Sequence, residues 1–106
     1  MERTPVTIRN NTELNAVEAL IEGGEVVGTA EYRPGPDGSL VFFHTVVDDD
    51  REGQGIGGQL AAGVVQVARD EGVTIVPECS FIRSYLERHE EAQDVVTDGA
   101  SLTDAT

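Results

Sequence analysis

Glu52-Gly53-Gln54-Gly55-Ile56-Gly57-Gly58 lies between the run Leu40 to Val47 and the run Gln59 to Glu71, and the reading of the whole chain turns on it. Leu40-Val41-Phe42-Phe43-His44-Thr45-Val46-Val47 is β-branched, aromatic and almost unbroken in its hydrophobicity, which predicts a central strand. Beyond the glycines, Ile56, Leu60, Val64, Val67 and Ala68 recur at helical spacing, and Gly72 fits a helix C-cap. A glycine-rich turn from strand into helix is a place to hold phosphate. Glycine lets the backbone turn sharply and a ligand approach closely. The first amides of the helix point outward, unpaired, at the positive end of its dipole.

Working outward, Pro5 to Arg9 reads as a first strand and Asn10-Asn11-Thr12 as a turn. Leu14 to Ile21 is ambiguous. Leu14, Val17, Leu20 and Ile21 have helical spacing, with Asn11 or Thr12 available as a cap. Yet Glu22-Gly23-Gly24-Glu25 looks like a hairpin turn before Val26 to Tyr32, and a hairpin requires a strand on its near side. Strand is therefore the expectation. Pro34-Gly35-Pro36-Asp37-Gly38 is a second turn. After the helix, Val73 to Val76 predicts a short strand closed by Pro77. Ser80 to His89 predicts a second helix, with Phe81, Tyr85 and Leu86 facing inward. Asp98 to Thr106 has few large apolar residues and reads as a flexible tail. The order predicts one α+β domain (α/β, three-layer-like) over residues 1–97, with a tail over 98–106. An antiparallel meander is followed by helix, strand, helix, and the strands flanking the first helix can pair in parallel across it.

A length of 106 residues with 39% hydrophobic content allows one modest core. No run of about 18 apolar residues predicts a membrane helix. Met1 to Pro5 lacks a signal peptide's apolar centre, so a cytoplasmic location is expected. The lone cysteine, Cys79, excludes an internal disulfide and fits a reducing compartment. The net charge is −13, and all basic residues are arginine. Such a surface should repel nucleic acid and anionic membrane and attract a small cationic amine. Solubility alone also accounts for an acidic surface. His44, Cys79 and His89 lack metal-ligand spacing, so no metal is expected.

A Walker-type loop needs Gly-Lys followed by Ser or Thr, and this chain has no lysine. A dinucleotide fold places its glycines after the first strand of a repeated βαβ array, not after a meander. A purely structural turn is the surviving rival. Against it, Gly53, Gly55 and Gly57 alternate at a helix start. The run from Val46 through Leu60 resembles the pyrophosphate-binding motif of the GNAT superfamily of N-acetyltransferases, whose pattern is Gln or Arg, two residues, Gly, one residue, then Gly or Ala. Gly55 and Gly57 match the small positions; Glu52 departs from the first, with Arg51 beside it to offset its charge. His44-Thr45 with Val47, and Val76-Pro77 with Cys79 and Phe81, ending in Arg88-His89, are similar to a small, minimal subgroup of that superfamily. Glu90 stands where the subgroup has proline.

This resemblance implies an acetyl-CoA-dependent acetyltransferase that transfers an acetyl group directly to an amine: a small amine, a peptide end or a protein lysine. A non-catalytic coenzyme A-binding module is the alternative. It implies a sheet splayed between Leu40–Val47 and Val73–Val76, with acetyl-coenzyme A in the gap. Amides of Gln54, Gly55, Ile56, Gly57 and Gly58 would hold the pyrophosphate, and those of Thr45, Val46 and Val47 the pantetheine arm and the oxyanion. The candidate catalytic side chains are Cys79, as an acyl acceptor or cleft lining, His44 as base and Tyr85 as acid to the thiolate. Glu31 is a further candidate base.

Overall fold

The structure, a computed structural model, describes residues 4–48 and 55–96. The elements are β1 (Thr7–Asn11), β2 (Ala16–Leu20), β3 (Val26–Pro34), β4 (Leu40–Val47), α1 (Ile56–Glu71), β5 (Ile75–Pro77), α2 (Ser80–Arg88) and a 3-10 helix (Glu90–Val95). Strand order in the sheet follows the chain, β1-β2-β3-β4-β5. The pairings from β1 to β4 are antiparallel, and β4 pairs with β5 in parallel. A parallel pair needs a crossover, and α1 supplies it. The α+β architecture and mixed sheet read from the sequence are thus the ones observed.

The ambiguous segment is strand β2. Its hairpin to β3 turns through Gly23 and Gly24, at φ 97° and 92°, a region open to glycine at little cost. Ile21 N–H donates to Glu25 O at 3.0 Å, and Gly24 N–H to Ile21 O at 2.9 Å. Leu14, which completed the helical spacing, stands 67% exposed in the turn before β2, so that periodicity included a residue the core does not use. Asn10 and Asn11, expected in a turn, belong to β1, and the turn occupies residues 12–15.

Register fixes which face of the sheet is core. Val17 pairs with Ala30 and Ala19 with Gly28, so these four share a face. A Cβ built on Gly28 would lie 3.4–3.5 Å from side chains of Leu60, Ile56 and Val47, which identifies that face as the one α1 covers. From α1, Ile56, Leu60, Ala61, Val64, Val65 and Ala68 are buried there, while Val67 is only half-buried. The helix lies close against β1 at Gly63, where a Cβ would sit 2.6 Å from Ile8. On the opposite face Glu18 is buried, with Oε1 accepting from Arg9 Nε at 2.9 Å and Nη2 at 2.6 Å, and Oε2 from Asn11 at 3.4 Å. A buried carboxylate persists because its oxygens are met in this way.

Two expectations for the C-terminal part need correction. Helix α2 buries Ile82 and Leu86; Phe81 is exposed and Tyr85 half-buried, because the side of the helix nearest the core is one residue away from the aromatic one. The 3-10 helix was not foreseen, since Ala92 and Val95 give too little apolar signal. Arg69 on α1 anchors it, donating to Glu91 O and Asp94 Oδ1, both at 2.6 Å. Val96 then bridges Ile75 in parallel. The tail assigned to 98–106 lies outside the described residues.

Two outcomes test this packing. Gly63→Ala should destabilise the fold by about 1–3 kcal/mol through the clash with Ile8. Adding Ile8→Ala should cost less in that background than in wild type; additive urea-melt penalties would contradict the contact. Tyr32 is buried and its hydroxyl donates to Asn10 Oδ1 at 2.8 Å. Burial raises its pKa above the ordinary tyrosine value of 10.0. Its contribution is therefore complete below pH 10 and lost as pH rises through the folded-state value. Tyr32→Phe should flatten the alkaline fall in melting temperature, and an unchanged pH profile would refute this.

Candidate functional site

The parallel pairing of β4 with β5 is short: Leu40 with Ile75, Val41 with Val76, Phe42 with Pro77. Leu40 N–H donates to Thr74 O and Phe42 O accepts from Cys79 N–H, both at 2.9 Å, so Leu40 and Phe42 turn their backbone groups toward β5. On the other side β4 skips a residue against β3: Glu31 faces His44, yet Tyr32 faces Phe42. Phe43 is the extra residue of a β-bulge, which bends the strand and changes its parity. At the far end Asp48 N–H donates to Val27 O at 2.9 Å. Alternation back from Asp48 turns Val46 and His44 toward β3 and leaves the backbone groups of Thr45 and Val47 facing the side where β5 has ended. Among the described residues the end of β4 is thus an open strand edge inside the sheet.

Helix α1 starts beside that edge, as Gly28, Ile56 and Val47 meet there. Gly55 caps it in the left-handed region at φ 78°, without a side-chain cap. Gln59 N–H donates to Gly55 O at 3.3 Å, and the amides of Ile56, Gly57 and Gly58 precede any helical acceptor. No acidic side chain occupies the first turn. Space differs sharply between neighbouring glycines: a Cβ on Gly58 would meet nothing within 4 Å, whereas one on Gly57 would lie 2.7 Å from Phe81 Cζ. Phe81, at the start of α2 and 39% exposed, therefore walls the helix start. Gln54 and the preceding glycine, Gly53, with Glu52 and Arg51, lie outside the described residues.

The candidate side chains fall into separate groups. Cys79 caps α2 in an extended conformation, and its thiol donates to Thr45 Oγ1 at 3.2 Å, across the mouth of the parted strands. Thr45 pairs with Ala30 and so shares the face that α1 covers. His44 and Val46 project from the opposite face and are exposed, with Glu31 directly across from His44. Cys79 and Thr45 are brought together; His44 and Glu31 are brought together; the sheet separates the two pairs. Tyr85 stacks on His89, ring centroids 3.8 Å apart and 13° from parallel. His89 Nδ1 lies 2.8 Å from Tyr85 O; a carbonyl only accepts, so that nitrogen carries a proton. Arg33 bonds both oxygens of Glu78 at 3.1 and 3.2 Å and lies over the Phe43 ring, linking the bulge to the turn before Cys79. Sequence reasoning missed Phe81 as a wall of the site, because an aromatic next to a helix start reads as core. It also missed Gln59, whose polar side chain gave no signal.

Among the described residues no group of three or more His, Cys, Asp or Glu could hold a metal ion, and no helix is long and apolar enough to cross a membrane. A family model described as GCN5-related N-acetyl-transferase matches residues 16–95. No curated protein matches the chain. The matched span runs from β2 to the 3-10 helix and includes the parted strands and the start of α1.

The three glycines make separable predictions. Gly55→Ala forces a side chain into the left-handed region and should cost about 1–2 kcal/mol. Gly58→Ala meets open space and should be neutral or stabilise α1 by up to about 1 kcal/mol. Gly57→Ala should destabilise unless Phe81 is also reduced to Ala. Urea melts order the set; a Gly58 variant less stable than the Gly55 variant would overturn the assignment.

Proposed function

The chain belongs to the GCN5-related N-acetyltransferase family, and we propose that it transfers the acetyl group of acetyl-coenzyme A directly to an amine. The observation that carries the reading is the convergence of two sets of backbone donors that no other described residue meets. One is the outward edge of β4 at Thr45 and Val47, and the other is the start of α1 at Ile56 to Gly58. The pantetheine arm is an extended chain with amide groups, which can add to an open strand edge as another strand would. A pyrophosphate fits the helix start, where Gly58 leaves room and the first turn of α1 carries no acidic side chain. Backbone donors offer an anion partial positive charge in a protein whose net charge is −13.

In the reaction the amine nitrogen bonds to the thioester carbon, the carbonyl oxygen gains charge, and the carbon–sulfur bond breaks. The amine sheds a proton and the departing sulfur takes one. An outward amide of Thr45 or Val47 would steady the oxyanion, a role typically worth about 3–4 kcal/mol of barrier. His44, exposed and opposite Glu31, would take the amine's proton from the far face of the sheet. Cys79 lines the near face with its thiol held by Thr45, and in direct transfer no bond to it forms. Tyr85, steadied by His89, is the candidate donor to the sulfur. The acceptor is a small amine or the amine of a peptide or protein. The acidic surface favours an approaching cation over an anion.

Calorimetric titration with acetyl-coenzyme A should show saturable binding tighter than millimolar, and thiol release should follow with some member of an amine panel. Binding without release for any amine would favour a non-catalytic coenzyme module; no binding would sink both. His44→Gln should lower kcat by about 10²–10⁴-fold with little change in the KM for acetyl-coenzyme A. Cys79→Ala should keep most of the turnover. An acetyl group found on Cys79 by mass spectrometry, together with an inactive Cys79→Ala, would replace direct transfer by a covalent route.

A further inference from the structure

One turn into α1, Gln59 folds its carboxamide back over the helix start. Its Oε1 accepts the Val6 N–H at 3.1 Å, and its Nε2 donates to Thr4 O at 2.5 Å and to Gly55 O at 3.3 Å. Gly55 O also accepts Gln59's own N–H at 3.3 Å. That carbonyl and the Ile56 N–H are opposite ends of one planar trans peptide, so they point in opposite directions. Gripping the carbonyl from the helix side therefore aims the Ile56 N–H out of the helix start.

The grip matters because the local sequence is weak. Gly55, Gly57 and Gly58 are conformationally permissive, and no side chain caps the helix. Thr4 and Val6 hold the Gln59 carboxamide on both sides, so its orientation is set by the chain leading into β1 and not by α1 alone. We infer that Gln59 is a positioning residue that fixes the Ile56 amide for the coenzyme's pyrophosphate. The inference rests on the proposed function for the identity of the anion, but not for the geometry. Holding a donor in place beforehand removes an ordering cost at the moment of binding. The effect should be confined to the phosphate-bearing part of the coenzyme.

The test uses the full chain with Gln59→Met, which keeps side-chain length and loses all three bonds. Acetyl-coenzyme A and S-acetylpantetheine, which lacks the pyrophosphate, are titrated in parallel by amide shift. The order parameter of the Ile56 amide is measured in the ligand-free chain. The expected result is binding of acetyl-coenzyme A weakened about fivefold to tenfold, S-acetylpantetheine within about twofold of wild type, and lower order at Ile56. Unchanged acetyl-coenzyme A affinity would overturn the inference. Equal losses for both probes would also overturn it, since Gln59 would then act on the fold at large. If the wild-type chain binds neither probe, the proposed function fails on its own. The positioning role is then decided by Ile56, supported by a fall in its order and overturned by none.

Discussion

The parallel ladder between β4 and β5 stops after Phe42 and Pro77, and the rest of the site follows from that stop. Proline has no N–H to continue a ladder. On β4 the bulge at Phe43 changes which residues face β5, so the two strands lose their match from both sides at the same level. The chain leaving β5 then turns back: Cys79 N–H takes the Phe42 carbonyl and its thiol takes Thr45. Beyond this closure Thr45 and Val47 keep outward backbone groups, and no strand among the described residues meets them. A buried sheet does not normally leave such groups unpaired, and a ligand that supplies amides is the natural complement.

Charge makes the same backbone groups more important. The chain carries 20 acidic and 7 basic residues. Arg9, Arg33 and Arg69 are held by Glu18, Glu78 and Asp94, and each ties one element of the fold to another. On the proposed function, phosphate would be met by the helix start and its amides. The first turn of α1 suits that role: it is glycine-rich and free of carboxylates, although glycine weakens a helix. It also gives Gln59 its place: a permissive turn requires something outside the turn to hold it, and the carboxamide does this from the segment that leads into β1.

The fold was legible wherever turn chemistry or long apolar runs spoke. Gly23-Gly24 decided the strand β2 against a misleading helical spacing, because a turn residue's backbone requirement is local while periodicity counted an exposed Leu14. Gly72 as C-cap follows the same logic, its φ being 71°. Less was readable where tertiary contact decides. Phe81 and Tyr85 looked like core but flank it, since Ile82 and Leu86 already fill the space beneath α2. The strand Leu40 to Val47 looked buried throughout, yet Phe43, His44 and Val46 are exposed, because a bulge cannot be seen in a run of apolar residues. Candidate site residues were found by type. Their division between the two faces of the sheet came only from register, which no single-strand pattern carries.

The central claim is that the open edge of β4 and the start of α1 together receive one extended, phosphate-bearing thioester. The most direct measurement is a map of backbone amide shifts as acetyl-coenzyme A is added to the nitrogen-15-labelled chain. The account predicts that the largest changes fall on the amides of Thr45 and Val47 and on those of Ile56, Gly57 and Gly58, saturating with one affinity. Changes confined to the helix start with none on β4, or centred elsewhere on the surface, would contradict it.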